Sequence, residues 1–292
     1  MKILITGGSG LLGQYLNIEL SEENEILTIY HEHSGNCNEF NSLKADIKDF
    51  NTMREVIQEF RPDIVIHAAA VSTPQLSEDL SAKEVYRTNV NATKIIAEEC
   101  ERKNIKLIYL STDLVYAGYR GSMLTENSKL IPVSLYAETK LMGETKIQEV
   151  FDNYIILRTA LLYGFGLNHS KCHFHEMYKN LKENKNVNLF TDQYRTPLSL
   201  FDAARIISAV TKLQTKGEII NFGGVERVSR FELGEILCET ANLDKSLLEK
   251  ITMDDIPGLS KVEDVSMNTD KLHSFGIIQK NIEDSINEIL NT

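Results

Sequence analysis

The sequence predicts an α/β chain built on a doubly wound parallel sheet, and three observations predict it. An apolar, β-branched run at the N-terminus passes straight into a glycine-rich turn and then into an apolar-periodic segment. Strand-like and helix-like patterns go on alternating through the first half of the chain. Repeated βα units of this kind imply parallel strands with helices on both faces, joined by right-handed crossovers. A strand ending in hydroxyl residues, followed by a helix bearing Tyr-x-x-x-Lys, puts polar groups at the strand ends where such sheets hold ligands. The 292 residues suffice for one large domain or two smaller ones, and 42% hydrophobic residues provide an ordinary globular core.

Lys2-Ile3-Leu4-Ile5-Thr6 reads as a buried strand, and Gly7-Gly8-Ser9-Gly10-Leu11-Leu12-Gly13 follows before a helical stretch from Gln14 to Leu20. Gly7, Gly10 and Gly13 are spaced three apart. In a dinucleotide fingerprint one glycine makes the turn, one admits a pyrophosphate to the backbone, and one lets helix and strand pack closely. The helix N-terminus adds free N–H groups and a positive dipole end. The region is therefore expected to be a Rossmann-type nucleotide site. The second strand, Glu25 to Tyr30, ends in Tyr30-His31-Glu32-His33, without an acid at the tip where NAD binders meet the ribose. That absence favours NADP(H) over NAD(H), with His31 or His33 available to a 2′-phosphate.

A polar loop from Ser34 to Leu43 leads to a short strand end, Ala45-Asp46-Ile47. Phe50 to Phe60 reads as a helix closed by Arg61-Pro62, and Asp63 to His67 as a strand. The following Ala68-Ala69-Ala70 leaves room for a flat ligand, although small-residue packing explains it equally well. One long helix, from about Ser81 to Lys103, holds Asn89. Strand Lys106 to Leu110 runs into Ser111-Thr112-Asp113, residue types that also favour a cap or turn. Beside a Tyr-Lys pair they read as a site. Tyr136 and Lys140 lie four apart in a helix extending to about Phe151, so they share a face. A nearby ammonium lowers a phenol's pKa, and a phenol so poised exchanges a proton with a substrate oxygen. Tyr154 to Arg158 is a further strand. Beyond it the alternation loosens into a loop (Leu161 to Ser170) and helices at His173 to Glu183, Phe201 to Lys212, Arg230 to Ala241 and Ile282 to Leu290. The expected division is a dinucleotide-binding domain over 1–160, with segments such as 191–213 returning to it, and a smaller C-terminal α/β substrate domain over 161–292.

A formal net charge of -11 argues against a nucleic-acid partner. Four scattered cysteines without C-x-x-C argue against zinc or a disulfide framework and fit a reducing cytosol, hence a cytoplasmic protein. The N-terminus reads as a strand rather than a signal peptide, and no apolar run reaches membrane-spanning length. His169, Cys172, His173 and His175 include an i,i+4 histidine pair, but a fourth ligand is missing, so a solvated loop and no metal are expected.

Together these motifs resemble the extended short-chain dehydrogenase/reductase superfamily and, within it, the dTDP-4-dehydrorhamnose reductase family of sugar-nucleotide reductases. The resemblance spans nearly the whole chain. It rests on Thr6 to Gly13, Arg61-Pro62-Asp63, Ala68 to Ala70, Ser111 to Tyr116, Tyr136 to Glu144, Leu157-Arg158-Thr159, and Asp192-Gln193 with Thr196-Pro197. It implies Tyr136 as proton donor to a ketone and Thr112 as a second hydrogen-bond donor to that oxygen. Lys140 would hold the nicotinamide ribose and keep Tyr136 acidic. Gly7, Gly10, Leu11, Leu12 and Gly13 would line the pyrophosphate, Asp46 and Ile47 the adenine, Ala68, Ala69 and Ala70 the ribose and pyrophosphate, and Asn89 the nicotinamide end. The implied substrate is a nucleotide-linked 4-keto-6-deoxysugar of cell-surface polysaccharide biosynthesis, and a homodimer is compatible. Two departures stand out. The stretch after the alanines is Val71-Ser72-Thr73-Pro74-Gln75 rather than acidic, and Leu161 replaces a tryptophan that faces the sugar in relatives. Alternatives are an epimerase or dehydratase on the same scaffold and a regulatory subunit resembling that of methionine adenosyltransferase.

Overall fold

The computed structural model describes residues 1–119 and 121–292. In chain order its elements are β1 (Lys2–Thr6), α1 (Leu11–Ser21), β2 (Glu25–Tyr30), β3 (Ser42–Lys44), α2 (Phe50–Phe60), β4 (Ile64–His67), α3 (Pro74–Asp79), α4 (Ala82–Tyr86), α5 (Thr93–Lys103), β5 (Lys106–Thr112), α6 (Leu135–Val150), β6 (Tyr154–Thr159), β7 (Leu162–Tyr163), α7 (His173–Lys182), β8 (Val187–Phe190), β9 (Tyr194–Arg195), β10 (Leu198–Ser199), α8 (Leu200–Thr211), β11 (Glu218–Phe222), β12 (Val228–Ser229), α9 (Arg230–Ala241), β13 (Leu248–Ile251), α10 (Asp270–Ser274) and α11 (Ile282–Leu290). Seven strands form one parallel sheet in the order β11-β6-β5-β4-β1-β2-β3. The order reverses between β1 and β4, which opens a crevice at the carboxyl ends of those strands.

The two-residue period of each strand sorts its side chains into two cores. Ile3 and Ile5, Ile64 and Ile66, Ile108 and Leu110, and Ile155 and Leu157 face a layer containing α1 and α8. Leu4, Val65, Leu107, Tyr109 and Ile156 face the opposite layer of α2 and α5. Burial on both faces is why these strands read as unbroken apolar runs. A third cluster packs α7, α9 and α11 with β8 and β13. It is tied to the sheet layers through α1: the Gln14 amide donates to Leu167 O (3.0 Å) and Ser170 Oγ (2.9 Å), and the Tyr15 hydroxyl donates to Phe165 O (2.7 Å).

Local chemistry accounts for the boundaries. Asp49 caps α2 by accepting from Thr52 N, and the helix ends at Arg61 with a left-handed φ of 52°, just before Pro62. The helical run from Ser81 to Lys103 is present but not uniform. A capping box of Ser81 and Glu84 starts α4, and a π-helical stretch, Arg87–Ala92, separates it from α5. Ala45-Asp46-Ile47 is not strand: β3 ends at Lys44, and Ala45 N bonds Tyr30 O (2.9 Å) as the chain leaves the sheet. Two elements lie outside the pattern expected from sequence: α3, which Thr73 caps and Pro74 opens, and β11, which pairs with β6 at the sheet edge. Among the described residues no helix is long and apolar enough to cross a membrane.

Candidate active site

A cleft of about 1120 Å³ lies at the carboxyl ends of the central strands. The glycine turn forms its floor. Gly7 has a φ of 75°, and a Cβ there would lie 2.7 Å from Ala69 N; a Cβ on Gly13 would lie 2.1 Å from Gly7 O. Both positions therefore require glycine. α1 starts at the N-cap Gly10 with no side-chain cap, so its first N–H groups are left for a ligand in the cleft. This cradle fits the pyrophosphate of a dinucleotide. Gly7, Gly10, Leu11, Leu12, Gly13, Asp46, Ile47, Ala68, Ala69 and Ala70 all line the cleft, as do Thr112, Tyr136 and Lys140. At the far end Asp46 Oδ2 lies 3.5 Å from both His31 Nε2 and Lys48 Nζ.

Asn89 sits behind this wall rather than on it. It is 1% exposed; its Oδ1 accepts from Val71 N (2.8 Å), and its Nδ2 donates to Val71 O (3.2 Å) and Thr139 Oγ1 (3.1 Å). The π-helical stretch turns the side chain toward β4's exit, where it clamps the segment after the alanines.

Thr112 ends β5, while Ser134 caps α6 and so places Tyr136 and Lys140 in its first turns. Tyr136 and Thr112 line the same cleft, and the Thr112 side chain acts to lower the pKa of the phenol. Thr112 Oγ1 in turn donates to Asp113 Oδ1 (3.2 Å) and accepts from Leu114 N (3.3 Å). Burial pushes the Tyr136 phenol up to about 12, opposed by the Thr112 side chain and reinforced by the Asp113 carboxylate. The expected lowering by Lys140 is overturned, because desolvation dominates both groups. The Lys140 ammonium lies 4.1 Å from the Tyr109 ring centre, and burial drives it down to about 7 against the pull of Glu144.

Behind the triad, His67 is fully buried between Thr6 Oγ1 (2.7 Å) and Thr93 Oγ1 (3.0 Å). Thr93 donates its own proton to Asn89 O (2.8 Å), so Nε2 of His67 carries the hydrogen and Nδ1 accepts from Thr6. Burial, then the Lys140 charge, holds the ring down at about 3, hence neutral.

Asp113, Arg195 and Arg230 converge on the same cleft, and sequence reasoning singled out neither arginine. Arg195 stands inside the motif stretch between Gln193 and Thr196, and its burial follows only from the fold. Arg230 was masked by the capping box of Ser229 and Glu232, which marks an ordinary helix start. The histidines and cysteine near residue 170 diverge. His169 packs on His33 (4.8 Å between ring centres), His175 Nδ1 accepts from Gly166 N (3.0 Å), and the Cys172 thiol donates to Gly164 O (3.1 Å). Among the described residues no three metal-binding side chains come together. Leu161 and Val71 to Gln75 lie on the cleft wall.

The model of the RmlD substrate binding domain family matches residues 1–292. Methionine adenosyltransferase 2 subunit beta of Pongo abelii is 26% identical over 289 residues, covering 96% of this chain and 84% of that protein. The dTDP-4-dehydrorhamnose reductase of Aggregatibacter actinomycetemcomitans is 27% identical over 273 residues, covering 89% and 87%. The crystal structure of dTDP-4-dehydrorhamnose reductase from Bacillus anthracis in complex with NADP superposes with a TM-score of 0.86 at 23% identity, over 99% of this chain and 98% of that one. A parallel sheet with its crevice at the β1/β4 reversal, a glycine cradle and a family match along the full length lead to one conclusion: the chain belongs to the RmlD substrate binding domain family, within the extended short-chain dehydrogenase/reductase superfamily.

Proposed function

We propose that this protein is an NAD(P)H-dependent reductase of a nucleotide-linked 4-keto-6-deoxysugar, with NADP(H) as the preferred cofactor. The observation that carries the reading is the placement of Thr112, Tyr136 and Lys140 on the same cleft as the glycine cradle. Similarity to named dTDP-4-dehydrorhamnose reductases supports it. The preference for NADP(H) is supported by the Lys48 ammonium and the His31 ring, which line the far end of the cleft beside Asp46 where a 2′-phosphate would lie.

A reduced nicotinamide, if held in the cleft by the glycine turn and Lys140, would supply the hydride that reduces the ketone. As charge grows on the ketone oxygen, the hydroxyls of Thr112 and Tyr136 stabilise it where it develops. Tyr136 then transfers its proton to that oxygen. A phenol pushed up to about 12 stays protonated at neutral pH, the state that reduction requires. Lys140, one turn along from Tyr136 on the same cleft, would hold the ribose hydroxyls of the cofactor. Asp46 and Ile47 meet the adenine. Leu161 presents an apolar surface to the sugar.

The test is NADPH oxidation against a panel of dTDP-, UDP- and GDP-linked 4-keto-6-deoxysugars. Turnover is expected with at least one, and Tyr136→Phe should lower kcat by about 10²- to 10⁴-fold while leaving NADPH affinity in place. Net oxidation of NADPH rules out an epimerase or dehydratase, which returns its hydride. The likeness to methionine adenosyltransferase 2 subunit beta favours a second reading, a regulatory subunit. No turnover across the panel, together with a partner effect that survives Tyr136→Phe, would establish that reading instead.

A further inference from the structure

The Thr112 hydroxyl has one hydrogen, and the structure commits it to a neighbour. Thr112 closes β5 and opens a single 3₁₀ turn, Asp113–Val115. In that turn its Oγ1 accepts from Leu114 N (3.3 Å) and donates to Asp113 Oδ1 (3.2 Å). An ionised carboxylate can only accept, so a charged Asp113 holds the hydroxyl hydrogen. That same hydrogen is the one Thr112 needs for a ketone oxygen. Asp113 is 4% exposed, and its surroundings leave its charge poorly compensated. Arg195 Nε, on β9, stands 3.6 Å from Oδ2, while its Nη1 donates instead to Tyr194 O (2.7 Å) and Val262 O (3.4 Å). Arg230, on α9, donates from Nε to Gln193 Oε1 (3.0 Å). Asp113 Oδ2 is buried without a hydrogen-bond partner among the described residues. On the α6 side stands the Tyr136 phenol, which the Asp113 charge helps to keep protonated. Burial pushes the Asp113 carboxyl up, against the pull of Arg195, the Thr112 hydrogen bond and Arg230.

We infer that Asp113 is a positioning residue that directs the Thr112 hydrogen: its carboxylate draws the hydrogen off the ketone oxygen, and its carboxylic acid releases it to that oxygen. The inference rests on the reductase reading of the same cleft and deepens it. The hydrogen-bond count supports it. A hydroxyl accepts two hydrogen bonds and donates one. With Asp113 protonated, Thr112 Oγ1 accepts from Leu114 N and from the carboxylic acid, and its own hydrogen is free for the substrate. With Asp113 ionised, Thr112 must break a bond to a charged acceptor before it can serve the ketone, and such bonds are the strong ones. No proton leaves Asp113 during turnover. Tyr136 alone gives its proton to the reduced oxygen, while Asp113 sets whether Thr112 helps to stabilise the charge that develops there. Loss of that help is worth about ten- to a hundredfold in rate, the scale of one hydrogen bond to a charged group. Rate therefore falls as pH rises through the Asp113 titration.

The experiment compares pH profiles of kcat and kcat/KM for NADPH-dependent reduction of whichever 4-keto-6-deoxysugar nucleotide turns over. Native protein should show a downward step in both with rising pH, because the hydrogen acts on the transition state. Lys140, brought down to about 7 by burial, can add a separate step. The Asp113 step is identified by two variants. Asp113→Asn keeps an N–H donor toward Thr112 at every pH and should abolish the step. Thr112→Val leaves the carboxylate in place and should abolish it too, at a lower rate, whereas Thr112→Ser should restore it. A step that survives Thr112→Val, or equal profiles for native and Asp113→Asn protein, would overturn the inference and leave the reductase reading intact. A second measurement needs no turnover: carbon NMR titration of the Asp113 carboxyl, assigned by its loss in Asp113→Asn. Thr112→Val removes a donor to the carboxylate and should shift that titration upward. An unmoved titration would also overturn the inference. A shifted titration without turnover of any keto-sugar would leave the Asp113–Thr112 coupling standing and remove the reductase reading.

Discussion

At the scale of single residues, the site is governed by desolvation. Lys140 is 3% exposed, and burial lowers it to about 7 from its ordinary 10.5. Between those values the unfolded chain binds a proton that the folded chain does not. This group's contribution to stability therefore rises with pH through that window and is least favourable below 7. His67 and Glu144, its charged or titratable neighbours, stay respectively neutral and bonded to Arg158. Lys140→Met should accordingly raise the thermal midpoint of the cofactor-free protein at about pH 6 and lose that advantage near pH 10. Calorimetry at the two pH values checks this; an equal shift at both would show that packing rather than charge is responsible. Tyr136 and Lys140 were legible as a pair because four residues make one helical turn. Their protonation behaviour was not, since it depends on how much protein covers them.

At the scale of elements, α6 is held to the sheet by one buried ion pair. Glu144, fully buried and one turn beyond Lys140, accepts from Arg158 Nη2 (2.8 Å) and Nε (3.2 and 3.3 Å) and from the Ser111 hydroxyl. Arg158 also donates to the Tyr116 hydroxyl and to Glu126 O, each at 3.0 Å. The pair thus joins α6 to β5 and β6 beneath the catalytic residues. Glu144→Ala leaves a buried guanidinium without its counter-charge and should cost about 3–5 kcal/mol in denaturant unfolding. The double replacement Glu144→Leu with Arg158→Met removes both charges and should cost less than the single change. A double variant as unstable as the single one would argue that shape, not charge, sets the cost. Helices with clear caps, such as α2 with Asp49 and α9 with Ser229, were readable because their signals lie within a few residues. The π-helical stretch around Asn89 was not. Its extra residue per turn is invisible to a helical period, and its effect, the Asn89–Val71 clamp, joins elements far apart in sequence.

At the scale of the whole molecule, the cleft is a joint product of the sheet and the C-terminal cluster, so filling it should stabilise both. A dinucleotide at about 100 times its Kd should add about 2.7 kcal/mol. NADP⁺ should raise the unfolding midpoint more than NAD⁺ at equal concentration, and Lys48→Ala should narrow the gap. Equal shifts from the two cofactors would contradict the preference argued from His31 and Lys48.

The sequence by itself determined β1, β2, β4, β5 and β6, helices on both faces of a parallel sheet, the glycine turn, and Tyr136 and Lys140 on one helix face. Each of these is written in a window of a few residues, as a period, a cap or a backbone conformation only glycine adopts. Only the tertiary structure decided that β11 completes the sheet, that Asn89 stands behind the wall, and that Asp113, Arg195 and Arg230 meet in one cleft. It also decided that Tyr136 titrates high and Lys140 low. Desolvation and long-range charge sum over groups distant along the chain, and no local pattern carries that sum.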